Sequence, residues 1–426
     1  MNKMNHPVWG LLVSTAFIIL LLEISPYILG KVILGNPFSR KELKKELQVA
    51  PGDFFYNTDK DSLNGHQGQY LGDHLLHPYM GFVGVPRTGY NRFGFPGDEP
   101  ILKRSNDQVN ICLTGGSVAM QLFRFSKERI TEYLALDPSL AGKKINISLM
   151  ALGGFKQPQQ LISLNYLMAL GAQYDVVVNL DGFNEVVLPY SDNLPFGVYP
   201  SYPRHWNIYS RKSLKQEVIF HMGKQFDVRE RRESTRKKLA HSLLRHSNFM
   251  LFLWKLSDIN KNNQFLVAES ALRGALEQSD SDFQSTGPSE TVTDTLKFFS
   301  DQVALWANAS AQMAALGEGM GFHYLHFLQP NQYDEGSRQL TPEEMVQAFE
   351  SGPFAYKDAV IAGYPLLRKA GEGLIQTGVY FVDLTGMFTD EKRTVYADKC
   401  CHFNQLGNDL LADSIAFHIV RKMRGS

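Results

Sequence analysis

The stretch Val109-Asn110-Ile111-Cys112-Leu113-Thr114-Gly115-Gly116-Ser117-Val118 decides the fold class of this 426-residue chain. Its apolar run is typical of a short buried strand that stops at two glycines, and a helical pattern begins after the serine. A parallel α/β sheet presents a serine in this way, on a tight turn beside free backbone N–H groups. The same turn would also serve as an ordinary helix cap, because serine is a favoured N-cap residue. Both interpretations of Ser117 stay open at this point.

Apolar runs and amphipathic helical patterns alternate through most of the chain. Further strands are predicted at residues 144–150, 174–180, 322–328 and 379–384. Helices are predicted between and after them at residues 157–170, 291–316, 362–377 and 406–422. Because such alternation builds a parallel sheet with helices on both faces, we predict an α/β fold.

Three of the predicted strands end in polar or glycine-rich turns. These turns are Gly115-Gly116-Ser117, Ala151-Leu152-Gly153-Gly154 and Asp181-Gly182-Phe183-Asn184-Glu185. The carboxyl ends of parallel strands share one edge of the sheet, and ligands of open α/β sheets bind at that edge. Because the three turns leave the same edge, the sequence predicts a ligand-binding site that they form together.

Length, charge and cysteine content bound the class of protein. With 44% hydrophobic residues and a formal net charge of +0, the chain is expected to form one large domain with insertions, or two domains. Neutrality argues against nucleic acid as a partner. The adjacent Cys400 and Cys401 fit neither a disulfide framework nor a zinc spacing. We interpret them as packing residues, with a vicinal disulfide or a cysteine nucleophile as the alternatives.

The N-terminus carries two apolar runs, residues 8–22 and 24–34, separated by Glu23. Together they reach the roughly 20 residues that a membrane span needs, provided that Glu23 lies near an interface. We predict an uncleaved anchor, with a signal peptide or a buried or interfacial helix as the alternatives. Lys3 precedes the first run and five cations between residues 31 and 45 follow it, which under the positive-inside rule leaves the body cytoplasmic.

Residues 36–104 are predicted to be a linker and an edge segment packed on the core. Within it, residues 50–100 are rich in turn residues and show no helical period, which indicates short strands and loops. This segment contains three histidines, His66, His74 and His77, that could suggest a metal site. Their irregular spacing favours surface or packing roles, so no metal is predicted.

Residues 189–290 break the alternation and are predicted to be a partly helical, partly irregular insertion that could cap the site. A basic run between Arg229 and Lys238 is interpreted as a solvated helix face, with contact to an anionic membrane as the alternative. The serine-rich segment 279–289 is predicted to be a flexible loop.

Asp398 and His402 lie four residues apart, just before the last predicted helix. Acyl transfer needs a nucleophile, a base that takes its proton, a group that orients the base, and donors for the developing oxyanion. Ser117, His402, Asp398 and the turns that contain Gly154 and Asn184 supply one candidate for each role.

On these residues the chain resembles the SGNH hydrolases, the GDSL-type esterase and lipase superfamily, in its membrane-anchored bacterial form. The resemblance covers about residues 105–190 and 290–424. Four motifs match the family's blocks in order: Gly115-Gly116-Ser117 for Gly-Asp-Ser, Gly154 (or Gly153) for the second-block glycine, Gly182-Phe183-Asn184-Glu185 for Gly-x-Asn-Asp, and His402 with Asn404 and Gly407-Asn408 for the last block.

The resemblance implies a three-layer α/β/α fold with a parallel, flavodoxin-like sheet. It also implies Ser117 as the nucleophile and His402 as the general base. The oxyanion hole would consist of the backbone N–H groups of Ser117 and Gly154 and the side-chain amide of Asn184. Neither a metal nor a cofactor is expected.

Two positions depart from the family pattern. Gly116 replaces the aspartate of Gly-Asp-Ser, a change also found in parts of the family. The family places its triad acid three residues before the histidine, and that position is Lys399 here. Either Asp398 is the acid on a loop that is one residue longer, or Ser117 and His402 act as a dyad with a backbone carbonyl orienting the imidazole.

These patterns divide the chain into a hydrophobic anchor (1–35), the edge segment (36–104) and an SGNH-like α/β domain (105–424) with its insertion. We expect a serine esterase or deacylase that hydrolyses an O-acyl ester, most simply an O-acetyl ester of a cell-surface glycan, because anchored relatives commonly act on such polysaccharides. The catalytic domain is then expected outside the cytoplasm, against the charge count.

Three alternatives stay open. The same site would support O-acyl transfer to a polysaccharide if a closed cap kept water out. A non-catalytic assembly or binding protein could keep the fold, which Lys399 and the insertion favour. An α/β-hydrolase with Gly115-x-Ser117-x-Ala119 as its nucleophile elbow is disfavoured, because its acid and histidine normally come from separate loops.

Overall fold

The computed structural model describes residues 6–34, 37–48, 74–85, 89–210, 216–277, 283–289 and 291–425. The chain divides into two compact units. A helical unit is drawn from Met1–Gly68 and Ser213–Asp280, and an α/β unit from Gln69–Lys212 and Ser281–Ser426. His66 lies outside the described residues, so its interpretation stays a prediction.

The described part of the α/β unit contains an antiparallel pair, β1 (His74–His77) and β2 (Gly81–Gly84), and a five-stranded parallel sheet. The strands of the sheet are β3 (Gln108–Gly115), β4 (Lys144–Ala151), β5 (Val176–Asp181), β6 (His323–Leu328) and β7 (Phe381–Asp383). Their spatial order is β4-β3-β5-β6-β7, which is the flavodoxin-like order of doubly wound proteins. The predicted fold class is confirmed.

The described helices cover both faces of the sheet and build the helical unit. They are α1 (His6–Leu34), α2 (Arg40–Gln48), α3 (Ser117–Ala135), α4 (Gln159–Ala169), α5 (Phe183–Leu188), α6 (Trp206–Tyr209), α7 (Gln216–Ala240), α8 (Asn248–Glu277), α9 (Phe283–Thr286), α10 (Thr295–Met320), α11 (Pro342–Gln347), α12 (Ala355–Gln376) and α13 (Gln405–Met423). On one face of the sheet α3 packs against α13, and on the other α10 packs against α4 and α12.

The register of the sheet brings the three predicted turns together. β3 lies between β4 and β5, and all of its residues from Val109 to Gly115 are buried, as expected for a strand covered on both faces. Gly115 pairs with Ala151 on one side and with Leu180 on the other. The turns after β3, β4 and β5 therefore leave the same edge of the sheet, as the sequence predicts.

The predicted insertion contributes to both units. Its described residues 189–210 belong to the α/β unit, and 216–277 form α7 and α8 of the helical unit. A flexible loop was predicted at 279–289, but its described part contains the short helix α9. Residues 283–289 are held to the α/β unit because Trp206 Nε1 donates to the Gln284 carbonyl at 2.8 Å and Tyr199 N donates to Thr286 O at 2.6 Å. These contacts bury Thr286.

The basic run lies on α7, where several of its cations are paired. Arg232 contacts Asp258 at 2.5 Å, and Arg236 contacts Glu233 at 2.7 Å. The Arg232 and Arg236 side chains are only 21% and 11% exposed, so these two cations pack within the helical unit. The exposed Lys237 and Lys238 agree with the solvated-face interpretation.

The two described histidines of the edge segment have packing and turn roles. His74 Nδ1 lies 3.0 Å from the Tyr209 hydroxyl. His77 Nδ1 accepts the backbone N–H groups of Tyr79 and Met80 at 3.2 and 3.1 Å. Both interactions agree with the packing interpretation of these side chains.

The N-terminal apolar sequence forms the single long helix α1. Its part Val13–Leu34 is long and apolar enough to cross a membrane, a criterion of length and composition that signal sequences also meet. Elsewhere in the helical unit a small apolar core forms between α2, α7 and α8, with Phe38, Leu43, Leu47, Leu239, Leu251, Phe252 and Trp254 as its buried members.

Candidate active site

Ser117 is the first residue of α3, two positions after β3 ends. At Gly115 φ is +146°, and a Cβ there would lie 2.1 Å from the Leu180 carbonyl oxygen, so the turn requires glycine. The Ser117 N–H belongs to the first turn of the helix, where donors have no intrahelical acceptor. The turn thus presents a hydroxyl together with a backbone donor that the helix does not use.

His402 lies on the loop before α13 and reaches Ser117. Ser117 Oγ is 2.8 Å from His402 Nε2, and His402 Nδ1 contacts Asp398 Oδ2. With its Nδ1–H donated to the carboxylate, the imidazole accepts the serine proton through Nε2. All three side chains are buried, and Ser117 is only 7% exposed. The structure therefore brings together the three residues that the sequence proposed as nucleophile, base and acid.

A tight turn explains how Asp398 serves from four residues before the histidine. Its Oδ1 accepts the backbone N–H groups of Cys400 and Cys401 at 2.9 and 3.1 Å, which leaves Oδ2 for His402. Lys399, at the family's usual acid position, is directed away and contacts Glu350 at 2.8 Å. The acceptor beside His402 Nδ1 is thus a carboxylate and not a backbone carbonyl.

The electrostatics of the loop suit a base that becomes a cation. Burial alone would lower the pKa of His402, but the charge of Asp398 and the Cys401 sulfur outweigh burial and raise it well above its usual value of 6.5. An imidazolium formed when His402 takes the serine proton is therefore stabilised.

The Asn184 amide lies directly against the turn that carries the serine. A Cβ on Gly116 would fall 2.2 Å from Asn184 Nδ2, so a side chain at 116 would displace the amide. One Nδ2 hydrogen is donated to the Phe155 carbonyl at 2.7 Å, which leaves the second Nδ2 hydrogen for the oxyanion role that the sequence predicts. This contact is a physical reason for glycine where the family has aspartate.

Gly154, the other predicted donor, lies on the same loop as Phe155. Its φ is +84°, a left-handed conformation that disfavours other residues. A Cβ there would also lie 2.9 Å from Cδ of Arg204. The left-handed φ occurs at Gly154 and not at Gly153, which the sequence left as the alternative.

Glu185 joins the two loops that carry these donors. Its Oε1 accepts the Gln157 backbone N–H at 3.1 Å, and its Oε2 accepts the Gly182 backbone N–H at 2.8 Å. Burial and the neighbouring Asp181 charge raise the pKa of Glu185 to about 8. The side chain therefore fixes the loop of Gly154 relative to the loop of Asn184.

Sequence reasoning missed a buried ion pair beside Gly154. Arg204, on the first part of the insertion, contacts Asp192 at 2.6 Å, and its Nη2 lies 3.2 Å from the Tyr356 hydroxyl. Both charged side chains are almost fully buried. No motif marks this pair, because Arg204 and Asp192 lie in an irregular proline-rich stretch.

A second serine–histidine–aspartate set lies between α10, which carries the serine, and the sheet. His326 contacts Ser310 Oγ at 2.7 Å through Nδ1 and Asp181 Oδ1 at 2.8 Å through Nε2. The Trp306 indole N–H also donates to Asp181, at 2.7 Å. Ser310 and His326 have no exposed surface, so this set is a structural hydrogen-bond network and no substrate reaches it.

The adjacent cysteines lie beside the histidine as free thiols, with 3.3 Å between the sulfurs. Burial raises the pKa of a thiol, but for Cys401 the hydrogen bond from Cys400 and the His402 charge outweigh burial and lower it. Among the described residues, their sulfurs and a His402 nitrogen lie within 4.8 Å of one another, close enough to hold a metal ion. Both nitrogens of His402 already serve Ser117 and Asp398, so a metal here would compete with the triad.

Gly116→Ala is expected to lower kcat by about 10²–10³-fold, the effect of losing one oxyanion donor. The new Cβ displaces the Asn184 amide, and the φ of −98° at this position is open to alanine. Steady-state kinetics on an aryl ester would measure the loss. The control is Asn184→Ala with the double variant: because both changes remove the same donor, the double variant should be no slower than Asn184→Ala alone. Additive losses would contradict this role.

Two solved structures are similar to this chain. A GDSL-like lipase from Bacteroides thetaiotaomicron is 8% identical with a TM-score of 0.35, covering 76% of this chain and 92% of that one. A lipase/acylhydrolase from Enterococcus faecalis is 12% identical with a TM-score of 0.31, covering 74% and 97%. No protein-family model and no curated protein matches the chain. At such low similarity these structures do not indicate the function of this chain. The function is inferred from the geometry of the site.

Proposed function

We propose that this chain is an SGNH-type serine hydrolase that cleaves an O-acyl ester through an acyl-enzyme. The observation that carries the proposal is the 2.8 Å contact between Ser117 Oγ and His402 Nε2, with Asp398 on the other imidazole nitrogen. A hydroxyl, a base and an orienting carboxylate in this order are the elements of nucleophilic acyl transfer.

In the first half-reaction Ser117 Oγ attacks the ester carbonyl and its proton passes to His402 Nε2. The developing oxyanion is stabilised by the N–H groups of Ser117 and Gly154 and by the Asn184 amide, each donor contributing about 3–4 kcal/mol to the transition state. His402 then protonates the departing alcohol oxygen, leaving an ester on Ser117. In the second half-reaction His402 takes a proton from water, which attacks the ester, releases the acid and restores Ser117.

We propose an O-acetyl ester of a cell-surface glycan as the substrate, with α1 as the membrane anchor. The helix Val13–Leu34 supports the anchor by its length and composition. A glycan substrate requires the α/β unit outside the cytoplasm, whereas the cations that follow the apolar runs favour the opposite side. A C-terminal fusion reporter distinguishes the two orientations, and a cytoplasmic C-terminus would contradict the glycan substrate.

The burial of the site favours a second candidate, O-acyl transfer to a polysaccharide. Ser117, His402 and Asn184 are all less than 9% exposed, so water has restricted access to an acyl group on Ser117. A sugar hydroxyl bound in place of that water would then accept the acyl group. A non-catalytic binding protein would have no need of the Ser117–His402 contact, and for that reason we rank it below both enzymes.

The test uses the full chain in detergent with an aryl acetate, with and without an acetyl-free polysaccharide as acceptor. We expect aryl alcohol and acetate to appear together in water, as hydrolysis requires. Aryl alcohol without matching acetate, accompanied by acetylated polysaccharide, would establish the transferase instead. No release of aryl alcohol by the folded protein under either condition would contradict the proposed esterase.

A further inference from the structure

The exposure pattern of α1 changes at Glu23. All residues of Val13–Leu22 are exposed, as expected for a helix that lipid would surround. From Glu23 onward a stripe at helical spacing, consisting of Glu23, Pro26, Gly30 and Leu34, is partly or fully covered. Contacts with α8 and, at Gly30, with Phe38 account for that cover. Within Val13–Leu34, the part of α1 whose burial is described, only the residues from Glu23 onward therefore pack against the rest of the helical unit.

The Glu23 carboxylate caps α8. Its Oε2 accepts the Asn248 backbone N–H at 2.6 Å, and its Oε1 contacts the Ser247 hydroxyl. A carboxylate at a helix N-terminus satisfies orphan N–H donors and interacts favourably with the helix dipole. The turn that joins α7 to α8 is thereby held beside α1 at the level of Glu23.

This turn presents two leucines to its surroundings. Leu243 is 86% exposed and Leu244 is 52% exposed. The backbone beneath them is fixed by polar contacts, because Arg40 donates to the His246 carbonyl at 2.7 Å and Arg245 donates to the Ala240 carbonyl at 3.0 Å. The leucines are thus held outward by a structured turn, with an exposed arginine next to them.

The length of α1 locates the turn relative to a bilayer. From His6 to Glu23 the helix is about 26 Å long at about 1.5 Å per residue, close to the roughly 30 Å of a hydrocarbon core. The apolar part Val13–Leu34 taken as a whole would place Glu23 in mid-bilayer, but the covered stripe after Glu23 packs against protein, so His6 to Glu23 is taken as the segment within the membrane. Glu23 then falls at the boundary between acyl chains and headgroups, and so does the turn beside it.

We propose that Leu243 and Leu244 insert into the lipid interface of the membrane that α1 spans, as a second attachment point of the helical unit. Leucines suit the edge of the acyl region, and Arg40 and Arg245 beside them suit anionic headgroups. The partner is a phospholipid bilayer, and its contact with the turn fixes how the helical unit stands on the membrane. The inference rests on the proposed anchor.

The test measures the depth of a fluorophore on the full chain in vesicles of phosphatidylcholine and phosphatidylglycerol. Leu244→Cys carries an environment-sensitive label, and Val267→Cys is the matched control. Val267 is also apolar and is 71% exposed, but it lies about 28 Å further along α8. The native cysteines are buried, and labelling of the unmodified chain gives their background.

We expect lipid spin-labelled near the headgroup to quench the label at 244 several-fold more strongly than the label at 267, with blue-shifted emission at 244 only. Equal quenching at the two positions, in protein that floats with the vesicles, would overturn the inference while leaving the anchor intact. A blue shift at 244 without quenching would assign the turn to a protein partner and would also overturn it. Failure of the protein to float would instead remove the anchor on which the inference rests.

Discussion

Ser117→Ala is expected to abolish ester hydrolysis, lowering kcat by about 10⁴–10⁶-fold. The variant keeps the turn, the helix N-terminus and the His402–Asp398 contact, but no atom is left to form the acyl-enzyme. The measurement is turnover of an aryl acetate by the full chain, with the thermal unfolding midpoint recorded for the same sample. The midpoint should change little, because the Ser117 hydroxyl has one side-chain contact in the described structure, to His402.

The matched control is Ser310→Ala, which removes the serine of the buried network around His326. Its hydroxyl is 2.7 Å from His326 Nδ1, much as Ser117 Oγ is close to His402. We expect this change to cost about 1 kcal/mol of unfolding free energy and to leave kcat near the wild-type value. Equal loss of turnover in the two folded variants would contradict the assignment of Ser117 as the nucleophile.

Asp398→Asn is expected to lower kcat/KM by about 10⁴-fold. The asparagine oxygen keeps accepting the backbone N–H groups of Cys400 and Cys401, so its NH₂ group faces His402 Nδ1. That nitrogen must then be an acceptor, which moves the imidazole proton to Nε2 and leaves no base for the serine proton. Lys399→Gln is the control, since its ammonium contacts Glu350 and is directed away from His402; it should retain most of the activity.

The pH dependence of the same variant gives an independent measurement. In the wild type Asp398 helps to raise the pKa of His402, and the base is active only when neutral. The rise of kcat/KM with pH should therefore extend above the range of an ordinary histidine. Without the carboxylate charge, the residual activity of Asp398→Asn should reach its plateau at lower pH. If Asp398→Asn keeps the rate and the pH profile of the wild type, Asp398 does not orient His402.

The fold and the placement of the site could be predicted because they depend on local patterns. The run from Val109 to Leu113 followed by two glycines is a buried strand with its turn, and strands of this kind repeat at spacings that only a parallel sheet satisfies. The edge at which Ser117, Gly154 and Asn184 meet follows from that topology. The predicted start of α12, residue 362, is wrong by seven residues: the helix begins at Ala355, and buried Tyr356, Ala359 and Gly363 continue its helical period.

Contacts between residues that are far apart along the chain could not be predicted from the sequence. The sequence leaves open whether Asp398 or a backbone carbonyl orients His402, because only the turn that folds Asp398 Oδ1 over the following N–H groups brings its other oxygen to the histidine. The sequence alone gives no reason for glycine at position 116. The structure gives one, because the Asn184 amide packs directly against this glycine. Arg204 and Asp192 carry no motif at all, since their importance comes from burial beside Gly154.

The most direct test of Ser117 as a nucleophile is labelling with a serine-reactive fluorophosphonate, followed by mass spectrometry of the peptides. The wild type should gain one phosphonyl group on the peptide that contains Ser117, Ser117→Ala should gain none, and Asp398→Asn should be labelled much more slowly. An adduct on another residue, or no adduct on folded wild-type protein, would contradict the proposed chemistry.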